Sequence, residues 1–108
     1  MNNSPHQQEL KRIVSVLVKK YQPLKIILFG SALTGKTHQW SDLDLVVIKK
    51  TKKRFSDRIG ELISLSEPKV PTDFLVYTPE EFEKMSQDNY FIQDEILKKG
   101  KTLYEQSN

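Results

Sequence analysis

The sequence contains no cysteine, so disulfides and thiolate metal sites are excluded, and its two histidines, His6 and His38, stand too far apart to form a ligand cluster. Any metal therefore has to sit on carboxylates. Apolar runs are short: Ile26 to Phe29 and Leu45 to Ile48 are the longest, far below the roughly 20 residues that cross a bilayer. The opening Met1-Asn2-Asn3-Ser4-Pro5 lacks the basic-then-apolar pattern of a signal peptide, so a cytoplasmic location without membrane contact is the expectation. Glycine and proline are also scarce, 4 and 5 residues, and 37% of the chain is hydrophobic, which excludes fibrous and disordered classes. With 108 residues, one domain spanning 1–108 is expected.

Acids are scarce in the first half. Residues 1 to 54 hold 11 Lys and Arg against three acids, whereas residues 55 to 108 hold six against eleven. Between Leu10 and Arg54 the only acids are Asp42 and Asp44, two positions apart at the start of an apolar run. A basic half can attract nucleic acid, nucleotide phosphates or an acidic protein, or simply be a solvated surface.

Ser4-Pro5-His6-Gln7 reads as a helix start, followed by the stripe Leu10, Ile13, Val14, Leu17, Val18 and Tyr21. Lys25 to Phe29, closed by Gly30, has the pattern of a strand buried on both faces, and Asp42 to Ile48 that of a second strand. The stretch between them, Ser31 to Ser41, is too short for a standard crossover helix and predicts a helical turn and a hairpin-like return. Phe55, Ile59, Leu62 and Ile63 mark a second amphipathic helix, and Thr72 to Tyr77 a third strand. Thr78-Pro79-Glu80-Glu81 combines a cap, a helical first-turn proline and a glutamate three residues after the cap. Phe82 and Met85 mark the inner face of that third helix, and Phe91, Ile92, Ile96 and Leu97 a fourth, capped near Gly100; Leu103-Tyr104 suggests an edge strand. The expected architecture is α+β: a mixed sheet of three or four strands with helices packed on one face.

In a strand, Asp42 and Asp44 project to the same face. Two like charges at the head of an apolar strand are unfavourable unless they stay in water or a cation neutralises them, and Mg²⁺ prefers such oxygen ligands together with substrate phosphates. Asp73 begins the third strand in the same way. Gly30-Ser31 is an ordinary strand-ending turn or a phosphate-holding one. The run Lys49 to Arg54 reads as a solvated loop or as a contact for RNA or an acidic partner. Trp40 and Tyr77 are candidates for base stacking and His38 for titration near the loop.

Phe29-Gly30-Ser31, ten residues, Asp42-Leu43-Asp44 at the head of an apolar strand, then Asp73 on a third strand, resemble the signature of the polymerase-beta-like nucleotidyltransferases. Val76-Tyr77-Thr78-Pro79-Glu80-Glu81-Phe82-Glu83 and the ending Ile96-Leu97-Lys98-Lys99-Gly100-Lys101-Thr102-Leu103-Tyr104-Glu105 look like the small stand-alone members, the minimal nucleotidyltransferases. The resemblance implies Mg²⁺-dependent transfer of a nucleoside monophosphate, AMP from ATP, to an acceptor hydroxyl. It implies Gly30 and Ser31 as triphosphate contacts, Asp42, Asp44 and Asp73 as metal ligands and catalytic residues, and Asp73 as helping to deprotonate the acceptor. Many relatives follow Gly-Ser with an arginine pair, whereas Ala32-Leu33-Thr34-Gly35-Lys36 has neither. Lys36 is the candidate nucleotide-binding substitute, although a point charge is not a bidentate fork, and slow turnover follows. The family further implies an antitoxin whose partner is a HEPN-type toxin, with AMP placed on a toxin tyrosine. The alternatives are a non-catalytic antitoxin acting by contact and a basic RNA-binding module; nucleic acid is not the expected direct partner.

Overall fold

The computed structural model describes residues 5–34 and 42–107. Ser4 and the loop residues Lys36, His38 and Trp40 lie outside them, as do the expectations attached to these positions. The elements follow the order α1 (Pro5–Lys20), β1 (Lys25–Phe29), a 3₁₀ turn (Ser31–Thr34), β2 (Leu43–Ile48), α2 (Phe55–Ser66), β3 (Thr72–Tyr77), α3 (Pro79–Asp88), a π-helix (Ile92–Lys98) and β4 (Lys101–Glu105). The four strands form one sheet in the order β3-β2-β1-β4. β1 pairs antiparallel with β2 and with β4, while β2 and β3 run parallel, joined through α2. The sheet is therefore mixed, and β1 and β2 pair antiparallel as expected, while residues 35–41 of their connection lie outside the described residues. β2 starts at Leu43 rather than at Asp42.

Helices cover both faces of the sheet, not one. Ile26 and Leu28 of β1, Leu43, Leu45 and Val47 of β2 and Phe74 and Val76 of β3 turn toward Ile13 and Leu17 of α1 and Leu62 of α2. Ile27, Phe29, Val46 and Ile48 turn the other way, toward Ile92 and Ile96, with Phe82 and Met85 of α3 at the margin. The physical reason lies in β1 and β2. Both are apolar at consecutive positions, so successive side chains put apolar surface on each side of the sheet, and each side requires a cover.

The α2 stripe is displaced from the expected one. Phe55 and Ile63 are 42% and 46% exposed, while Arg58, Leu62 and Ser66 are buried. Arg58 is drawn inward by acceptors that no single-helix pattern contains. Its guanidinium donates to the carbonyls of Lys53 and Val76 and makes a two-pronged pair with Glu81 at 2.7 and 3.1 Å. Glu81 is also the third residue of the capping box that starts α3: Thr78 Oγ1 accepts from the Glu81 N–H, and Glu81 accepts from the Thr78 N–H. One buried cation thus ties α2, β3 and α3 together.

A second tie joins α1 to the end of α2. Glu9, 7% exposed, accepts two hydrogen bonds of 2.8 Å from Arg12 and one from the Lys69 N–H. Arg12 also donates to the carbonyls of Ser66 and Glu67. The π-helix inserts Ile92 and Ile96 but leaves Leu97 48% exposed, and Phe91, just before it, is 43% exposed while its ring meets Phe29 edge-on at 5.6 Å.

Candidate functional site

The antiparallel register of β1 and β2 sets Phe29 opposite Asp44, and the parallel register of β2 and β3 sets Asp44 opposite Asp73. The turn after β1 and the starts of β2 and β3 therefore share one end of the sheet. Alternation places Asp44 and Asp73 on the π-helix side, because Leu43, Leu45, Phe74 and Val76 face α1 and α2.

The two aspartates interact directly. Burial, the Asp73 and Asp42 charges and a hydrogen bond with Asp73 push the Asp44 carboxyl up to about 6. The Asp44 carboxyl, when protonated, donates to Asp73, which is how two carboxylates share a site without a cation. Asp42, one residue before β2, is exposed and near enough to act through its charge.

Gly30 is required at the rim of this site. Its φ of 84° is a left-handed conformation that L side chains rarely adopt, and a Cβ at this position would collide with Asp44 Oδ2. The Leu33 N–H donates to the Gly30 carbonyl at 3.1 Å, turning the chain into the 3₁₀ segment that begins with Ser31. Gly30, Ser31 and Leu33 form one wall of a cleft of about 510 Å³, and Glu95 and Lys99 form the other. Neither Glu95 nor Lys99 is among the site residues that the sequence singles out. The available signal was the run Asp94, Glu95, Lys98, Lys99 on one short helix. A separate groove between α1 and β4, lined by Leu10, Val14 and Leu103, contains no acid.

The structure thus brings Gly30, Asp44 and Asp73 together, with Ser31 on the adjoining wall and Asp42 at the rim. Lys36 lies outside the described residues. Tyr77, a stacking candidate, sits at the opposite end of β3 and packs between Phe55 and Phe82, with ring centroids 5.7 and 6.2 Å away. The basic run is also largely occupied. Lys49 donates to the Tyr21 carbonyl at 2.6 Å and lies over the Tyr21 ring, Lys53 pairs with Glu61, and Arg54 pairs with Asp57.

The donor set suits a hard divalent cation. Carboxylate oxygens are its preferred ligands, and the missing Cβ of Gly30 leaves the Asp44 carboxylate its space. Among the described residues, no group of three or more His, Cys, Asp or Glu is arranged to hold a metal on its own. Mg²⁺ bound by one or two carboxylates completes its coordination with water and substrate phosphates, so a fully preformed cage is not needed.

Residues 11–108 match the family model described as polymerase beta, nucleotidyltransferase. The chain belongs to that family. Its fold resembles a candidate nucleotidyltransferase from Sulfolobus solfataricus with a TM-score of 0.60 at 16% identity, covering 98% of this chain and 91% of the other. It also resembles a chain of a toxin-antitoxin structure with AMP-PNP, with a TM-score of 0.52 at 17% identity, covering 94% of this chain and 74% of the other. No curated protein matches the sequence. At these identities the structural likeness speaks for the fold alone.

Proposed function

We propose that this protein is a minimal nucleotidyltransferase of the antitoxin type, transferring AMP from ATP to a tyrosine hydroxyl of a cognate HEPN-type toxin. The observation that carries the chemistry is the in-register pair Asp44 and Asp73 beside the Gly30 turn. In the transfer, the acceptor oxygen bonds to the α-phosphorus, the bond from that phosphorus to the β-phosphate oxygen breaks, and pyrophosphate leaves. Asp73, the more exposed of the pair, takes the hydroxyl proton. Gly30 and Ser31 would hold the triphosphate, and Asp42, Asp44 and Asp73 would hold Mg²⁺ jointly with the substrate's phosphate oxygens rather than as a preformed cage. When bound, Mg²⁺ supplies neutralisation of the phosphate charge. Such a reaction asks the protein mainly for positioning and electrostatic stabilisation, within reach of a small site.

The partner assignment is supported by the toxin-antitoxin structural neighbour and by the resemblance of the Val76–Glu83 and Ile96–Glu105 segments to the minimal members. The test is incubation with ATP, Mg²⁺ and the cognate toxin, read by mass spectrometry. The expected result is one or more adenylyl additions on a toxin tyrosine, reduced about a thousandfold or more in the Asp42→Asn, Asp44→Asn variant. Toxin that stays unmodified, yet is neutralised equally by wild type and variant, would show an antitoxin that acts by contact alone.

A further inference from the structure

We infer that Lys99 is a phosphate-contacting residue, placed on the far wall of the cleft to meet the β and γ phosphates of a bound nucleoside triphosphate. This inference rests on the reading of the Gly30-Ser31 turn as the triphosphate site. The segment after that turn, Ala32-Leu33-Thr34-Gly35-Lys36, contains no arginine, so the described wall formed by Gly30, Ser31 and Leu33 offers no cationic side chain to a ligand of high negative charge. Lys99 lines the same cleft from the opposite side.

Its position is fixed by the backbone. The Lys99 N–H donates to the Asp94 carbonyl, five residues back, at 3.1 Å, and the Gly100 N–H donates to the Ile96 carbonyl at 3.0 Å. Ile92 and Ile96, each 1% exposed, anchor that helix under the sheet. At Gly100 a Cβ would collide with the Ile96 carbonyl and press on Ile27 of β1, so the chain leaves the helix tightly against the strand that ends at Gly30. π-helical turns are uncommon and concentrate at functional sites.

The Lys99 side chain is 57% exposed, and its Nζ lies 3.2 Å from Asp94 Oδ2 and 3.3 Å from Glu95 Oε2. The Glu95 pair is exposed on both sides and holds weakly, whereas Asp94 is only 18% exposed and is the firmer partner. The ammonium is therefore held at the cleft, and can exchange the Glu95 carboxylate for phosphate oxygens at small cost while Asp94 keeps it in place. Glu95 competes with the ligand for Lys99.

Calorimetric titration of the full chain with Mg²⁺-ATP and with AMP tests the assignment, with melting curves to confirm folding. Lys99→Met should weaken Mg²⁺-ATP binding about tenfold while leaving AMP within about twofold, since the lost partner is a charge-assisted hydrogen bond to the terminal phosphates. Lys99→Arg should retain most of the ATP affinity, and Glu95→Gln should tighten it. Lys99→Met binding ATP as wild type does, while Asp42→Asn, Asp44→Asn loses Mg²⁺-ATP, would overturn the role of Lys99 and leave the triphosphate site standing. A wild-type protein that binds no Mg²⁺-ATP would overturn both.

Discussion

Two sets of carboxylates in this molecule are treated in opposite ways. Glu9 and Glu81 lie against arginines, and those guanidiniums hold both carboxyls below their ordinary value. Asp44 and Asp73 lie against each other, and among the described residues no ion pair reaches either of them or Asp42; burial and the neighbouring acids raise Asp44 instead. The first arrangement joins elements: Glu9 with Arg12 ties α1 to the end of α2, and Glu81 with Arg58 ties α2 and β3 to α3. The second lowers the stability of the free protein and leaves a charge deficit that a cation or phosphate-bound metal can fill. Paired acids therefore serve the fold here, and unpaired acids mark the place where a ligand is needed.

The sharpest way to break this contrast is to remove an arginine. Arg58→Met strands Glu81, weakens the start of α3 and unsatisfies the Val76 carbonyl. Breaking a buried pair from one side costs about 3 to 5 kcal/mol. Because the Glu81 side chain is 43% exposed and water can solvate it, about 3 kcal/mol is expected, lowering the melting temperature by about 12 °C or more. The double change Arg58→Met, Glu81→Met should be less harmful than the sum of its parts. A drop of under about 1 kcal/mol on chemical denaturation of Arg58→Met would remove Arg58 from the fold's supports.

A slightly smaller effect, of opposite origin, is expected at the site. In ATP and Mg²⁺ at about 100 times the dissociation constant, ligand linkage adds about 2.7 kcal/mol to the wild-type protein. The Asp42→Asn, Asp44→Asn variant should gain little from the same addition, although its ligand-free melting temperature should equal or exceed that of wild type. Equal shifts in the two proteins, measured by differential scanning fluorimetry, would contradict the assignment of these acids to a metal and nucleotide site.

Elements were legible in the sequence where the pattern is local. The capping box Thr78 to Glu81, the apolar stripe of α1 and the boundaries of β1 and β3 depend on neighbours within a few residues, and each is found where the spacing puts it. The face of α2 was not legible, because Arg58 points inward toward acceptors on β3 and α3 that lie 18 and 23 residues away. The second cover of the sheet was foreshadowed by the unbroken apolar run of β1, yet the helix supplying it is a π-helix, whose turn does not follow the 3.6-residue period used to read it. The aspartates could be singled out from their position at the heads of apolar strands. Their meeting in register needed the parallel pairing of β2 with β3, and Glu95 and Lys99 reach the cleft because Ile92 and Ile96 seat their helix against β1 and β2, a tertiary contact that no periodicity encodes.

The remaining contrast separates the two sets of acids by the sign of their pH dependence. Asp44 is raised from 3.8 to about 6 in the folded protein. A raised group contributes stability that is fully present below its unfolded value and is lost as pH rises through the folded value, so the free protein should lose part of its stability between about pH 4 and pH 7. Glu9 and Glu81 are lowered from 4.5; their contribution is present above that value and is lost as pH falls through their lower folded values. Asp44→Asn deletes only the first component. Its melting temperature relative to wild type should therefore rise from pH 4 to pH 7, while both proteins weaken together below about pH 4 as the glutamates protonate. Saturating Mg²⁺ and ATP should shrink the difference at pH 7, because a cation then offsets the Asp44 charge. A difference that stays constant from pH 4 to pH 7 would mean that Asp44 ionises in the folded protein as it does in the unfolded chain, and the contrast between paired and unpaired acids would fail at its central residue.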